Sequence, residues 1–98
     1  MEINVAMISK KIIKLRKKLD KLDNSMLSIV KKRSLLVDQV LKNKNFKKDI
    51  IDKKRISVIL KNIYKKSKKM NIDPKITKKI WYSMIRAFIE YEFKNFKK

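Results

Sequence analysis

The chain has 98 residues, no cysteine, no histidine, no glycine and a formal net charge of +20. These counts exclude a disulfide framework and thiolate metal sites, and they remove the residue most used as a general base. No apolar run approaches the roughly 20 residues needed to span a bilayer, so a single cytoplasmic, soluble domain spanning residues 1–98 is expected.

The charge points to an anionic partner, but it is spread thinly. Of the 29 basic residues 25 are lysine and four are arginine, and Lys, Ile and Asn together make 47 of the 98 residues. That is the signature of an AT-rich coding sequence, and the lysines fall on every helix face rather than in one stripe. Nucleic-acid binding by a basic bundle is therefore the lesser reading of the charge. The arginines stand out because lysine is the default cation of this composition.

In chain order, the first pattern is an apolar seam at Ile8, Ile12, Leu15, Leu19, Leu22, Met26 and Ile29, continued by Leu36, Val37 and Val40. Spacings that alternate four and three predict a long helix packed lengthwise on others, from about residue 6 to 44. The stretch "NFKKDIID" breaks the pattern and reads as a loop. Asp52 is placed to cap a second helix, whose apolar face is Ile56, Ile59, Leu60 and Ile63. The segment "KKMNIDPKI" ends it, and Asp73 followed by Pro74 starts a third.

The apolar positions of the third helix are Ile76, Ile80, Trp81, Met84, Ile85, Phe88, Ile89, Phe93 and Phe96. Its aromatics, at helical spacing, read as core or contact residues. The expected fold is all-α, with three helices and the first one very long. Its seam is longer than the two shorter helices can cover, which predicts an intertwined helical homodimer.

Cations interrupt this apolar design. Four residues beyond Ile29 is Arg33, and four beyond Val40 is Lys44. On a continuous helix the eleven steps between them bring both to nearly the same face, about 16 Å apart. One such residue reads as a side chain snorkelling to water, or as a polar group fixing register. Here there are more. Arg55 lies on the apolar side of helix 2, and Glu92 follows Phe88 by four on the inner face of helix 3. Arg16 lies about 100° around the first helix from Arg33, too far to serve the same pocket unless it reaches across to a second copy. Several inward cations with one carboxylate call for a compensating anion, and arginine forks match carboxylates. The seam therefore predicts a pocket for a small dicarboxylate.

These residues carry a family resemblance. The run "LRKKLDKLDNSMLSIVKKRSLLVDQVLKNK" resembles the first helix of the all-α chorismate mutases, with its L-R-x-x-I-D-x-x-D pattern, a later Arg, and a Lys eleven residues on. "DIIDKKRISVIL" is similar to their Asp-x-x-Arg segment, and "NIDPKITKKIWYSMIRAFIEYE" to their last helix. The resemblance implies a homodimer with two sites that convert chorismate to prephenate without a cofactor. It implies that Arg16 crosses from the other subunit to a substrate carboxylate and that Arg33 binds a carboxylate within the subunit. Lys44 would contact the ether oxygen, Asp52 and Arg55 would close the pocket, and Glu92 would be the second donor to that oxygen. Catalysis would then rest on Lys44, Glu92 and Arg33.

Two positions depart from the family pattern. Ile56 stands where chorismate mutases usually have a Glu for the substrate hydroxyl, and Phe88 where many have a small polar residue. The related isochorismate pyruvate-lyases resemble the chain at both, which makes a salicylate-forming lyase the alternative. Glu92 stands where Gln is usual, and an ionised carboxylate cannot donate to an ether oxygen.

Overall fold

The computed structural model describes residues 9–97, and these form three helices with no strand. Helix α1 runs Lys10–Lys42, α2 Lys53–Lys69 and α3 Pro74–Asn95, with a short 3-10 helix at Lys47–Ile50 between α1 and α2. The all-α, three-helix expectation is met. Ile8 and the expected start near residue 6 lie outside the described residues. Compactness divides the chain into one unit that ends at Leu35 and a second that begins at Leu36.

In the first unit, α1 begins at Ser9, whose hydroxyl accepts from the Ile12 amide at 3.2 Å while its carbonyl accepts from Ile13. Ser9 therefore satisfies one of the donors that every helix start leaves without an intrahelical partner. The seam is exposed along its length in the single chain: Leu15, Leu19, Leu22, Met26 and Ile29 are all about half exposed or more.

In the second unit α1 buries a different line than the sequence predicts. Leu36 and Val40 are exposed, whereas Val37 and Asp38 are half-buried and Leu41 is buried. A straight helix drifts against a 3.5-residue repeat, so the inward line moves around the axis by the end of α1. The helix also stops short of the expected residue 44. Asn43 and Lys44 donate to the carbonyls of Val40 and Leu41 in tightened turns, and the Asn43 side-chain amide takes the Gln39 carbonyl at 2.8 Å. Lys44 therefore lies beyond the helix, and the 16 Å helical spacing from Arg33 does not apply to it. The stretch expected as loop contains the 3-10 helix, which buries Ile50.

Helix α2 starts as predicted. Asp52 Oδ1 accepts from the Arg55 amide at 3.0 Å. Its C-terminus uses a Schellman arrangement, in which Ile72 donates to the Ser67 carbonyl and Asn71 to that of Lys68. Asn71 takes φ 57°, the left-handed region, and asparagine is the natural substitute in a chain without glycine. Asp73 then caps α3 through the Lys75 amide at 2.9 Å, with Pro74 in the first turn.

Helices α2 and α3 pack as a hairpin. Half-buried Ile56, Ile59, Leu60 and Ile63 form the inner face of α2, and Trp81, Met84, Ile85, Phe88 and Ile89 that of α3. Ile76, Ile80 and Phe93, expected on that face, are exposed. Near the turn the two helices meet through buried hydroxyls, Ser67 Oγ and Thr77 Oγ1 at 2.7 Å. Ser67 also donates to the Ile63 carbonyl at 2.6 Å. Small residues here allow close approach, so Ser67→Leu should overpack the tip and lower stability by about 1–3 kcal/mol. An unchanged thermal midpoint would contradict this packing.

Among the described residues, no helix is long and apolar enough to cross a membrane.

Candidate active site

Lys44 and Glu92 are brought together. Lys44 follows α1 by two residues, and the turn that ends the helix directs its side chain back over the 3-10 segment. Its Nζ donates to the Ile50 carbonyl at 3.5 Å and to Glu92 Oε1 at 2.9 Å. Glu92, in the last third of α3, is 7% exposed and is the only buried acidic residue among those described. A carboxylate this deep needs a cation, and Lys44 supplies it. An ammonium has three donors. Two are accounted for by Ile50 and Glu92.

The other expected site residues of the second unit fall on the start of α2 and the middle of α3. Asp52 is exposed with one oxygen engaged in capping, Arg55 is exposed one turn on, and Ile56 beside it is half-buried. Phe88 is half-buried one turn before Glu92. Arg16 and Arg33 belong to the first unit, where Arg16 is exposed and Arg33 half-buried.

A further pair was not read from the sequence. The Tyr91 hydroxyl donates to Asp38 Oδ1 at 2.6 Å. The hydrogen bond to Asp38, reinforced by that residue's charge, holds the Tyr91 hydroxyl above its ordinary value of 10. The available signal was that Asp38 is the one acidic residue between Asp23 and Asp49.

Two hollows among the described residues of the second unit are lined by neither Lys44 nor Glu92. One, of about 650 Å³, sits between α2 and α3 over Leu60, Ile63, Tyr64 and Pro74. The other, of about 310 Å³, is bordered by Asp38, Leu41, Tyr91 and Phe96.

The arrangement offers a held cation against a buried carboxyl. It suits a reaction that needs positioning and charge stabilisation rather than covalent attack. Residues 15–93 match the family model of chorismate mutase type II. The chain belongs to this family. The matched region contains Arg16, Arg33, Lys44, Asp52, Arg55, Ile56, Phe88 and Glu92, and membership supports a chorismate mutase-type function on an all-α fold. Comparison with curated proteins and with solved structures gives no significant match.

Proposed function

We propose that the protein is a chorismate mutase, rearranging chorismate to prephenate in a cationic pocket completed by a second copy of the chain. The observation that carries this reading is the Lys44–Glu92 pair in a member of the chorismate mutase type II family. The reaction is pericyclic: one C–O bond breaks as one C–C bond forms, and no proton or group leaves the molecule. Catalysis then has two parts. Arg33, Arg55 and a crossing Arg16 hold the two carboxylates so that the side chain lies over the ring. Lys44 and Glu92 stabilise the charge that develops on the ether oxygen. Asp52 closes the pocket beside Arg55, and Ile56 and Phe88 line it. No cofactor is required.

The second copy is supported by the exposed seam. A row of large apolar side chains from Leu15 to Ile29 faces water in the single chain, and such a surface is a contact surface. An antiparallel partner covering it carries Arg16 toward the other subunit's site.

Glu92 makes the reading testable at one atom. An ionised carboxylate beside Lys44 has no proton to donate to the ether oxygen, whereas a glutamine amide in the same place has one. Glu92→Gln should therefore form prephenate at least as fast as the parent protein. An initial rate well below the parent's, in a folded variant, would overturn this role.

A specific observation keeps a second substrate in view: half-buried Ile56 offers no carboxylate to a ring hydroxyl. Chorismate and isochorismate supplied separately, with products identified, decide between them. Prephenate as the dominant product supports the mutase. Salicylate and pyruvate from isochorismate, with little prephenate, would make the protein a lyase.

A further inference from the structure

The contacts that join α3 to the end of α1 and the turn after it include two polar ties of different kinds, one of which belongs to the proposed chemistry. Lys44 Nζ reaches Glu92 Oε1 at 2.9 Å, and Asp38 Oδ1 receives the Tyr91 hydroxyl at 2.6 Å. On α3 the two side chains are neighbours in sequence, about 100° apart around the axis, so any roll of the helix moves both. The ties differ in stiffness. Lysine is a flexible four-carbon stem that can follow a carboxylate through a range of positions. Tyrosine has two side-chain torsions, and Asp38 is a short side chain on the inward line of α1 beside buried Leu41. The ion pair alone therefore tolerates a rolled helix, whereas the tyrosine–aspartate bond does not.

We infer that Asp38 and Tyr91 are positioning residues, whose hydrogen bond fixes the roll of α3 and so the place at which Glu92 meets the reacting oxygen. Neither touches the substrate. The raised hydroxyl of Tyr91 keeps its proton through the neutral range, so the donor is present wherever the enzyme works. The bond sits at the edge of the smaller hollow, where Asn95 Nδ2 donates to the Tyr91 carbonyl at 2.8 Å and steadies the same turn of α3. Misplacing a catalytic group by a fraction of an ångström leaves binding by the arginines largely intact and weakens the chemical step.

The inference rests on the proposed role of Glu92, and the test separates the two. Initial rates of prephenate formation are measured for Tyr91→Phe, Asp38→Asn and Glu92→Ala, and for Tyr91→Phe combined with Glu92→Ala. Tyr91→Phe should lower kcat about fivefold, the scale of one hydrogen bond, with KM changed less than twofold. Asp38→Asn keeps an acceptor oxygen and should lose less than Tyr91→Phe. On the Glu92→Ala background, removing the Tyr91 hydroxyl should have no further effect, because the group it positions is gone. A general destabilisation would instead lower the rate by the same factor on both backgrounds, and that result overturns the inference. So does a Tyr91→Phe protein with parental kcat while Glu92→Ala is impaired. Parental kcat in Glu92→Ala itself would overturn the role of Glu92, and the positioning role with it.

Discussion

Lys44→Ala should lower the rate of prephenate formation by about 10²–10³-fold, the effect of removing one preorganised donor from a developing oxyanion. The ammonium is held by the Ile50 carbonyl and Glu92 before substrate arrives, so little reorganisation accompanies the reaction. The loss should appear mainly in kcat, since the arginines still bind the carboxylates. The substitution also strands the buried Glu92 carboxylate, which carries a stability cost of its own. Helicity and thermal midpoint measured alongside the kinetics separate the two effects. A folded Lys44→Ala protein within threefold of the parent rate would remove Lys44 from the mechanism.

Arg16→Ala should lower the rate by about 100-fold, the scale of losing a charge-assisted pair to a substrate carboxylate. Its more telling outcome comes from mixing. If Arg16 serves the partner's site, a mixed dimer of Arg16→Ala and Lys44→Ala chains has one site with both lesions and one with neither. Statistical exchange after co-refolding makes half of the dimers mixed, so activity should recover to about a quarter of the parent value. Two feeble variants regaining activity only when combined is a result that a site built from one chain cannot give. Recovery no greater than the sum of the separate variants would place Arg16 and Lys44 in the same subunit's site, or Arg16 in none.

The helices were legible where local chemistry specifies them. Asp52 and the Asp73–Pro74 pair mark helix starts through side-chain oxygens two or three residues from the amides they accept, so the signal is wholly local. The inner face of α2 was equally readable, because four apolar residues at helical spacing leave one way to face a partner. The end of α1 was not. Its termination at Lys42 depends on Asn43 capturing a carbonyl and on Ile50, eight residues beyond, being buried. Neither appears as a break in the apolar pattern, so extrapolating a 3.5-residue repeat carried the helix two residues too far and made Val40 inward in place of Leu41.

The candidate site divides along the same line. Glu92 was marked by lying on the inner face of α3, where it is buried, whereas Lys44 was reached by extending a seam that stops two residues before it, so their meeting depends on the turn that ends α1. The Asp38–Tyr91 bond joins positions 53 residues apart, and it depends on where the α1 line drifts inward. The hydroxyl contact of Ser67 with Thr77 was also hidden, because serine and threonine ten residues apart look like solvent-facing residues until the hairpin closes. Pairs of this kind are created by tertiary packing and leave no periodic trace.

The most direct test of the central claim is the initial rate of prephenate formation from chorismate by the purified protein. The expected result is conversion in proportion to protein concentration, orders of magnitude above the spontaneous rate, with prephenate as the product. No acceleration over chorismate alone, in protein shown to be folded and helical, would contradict the proposed activity.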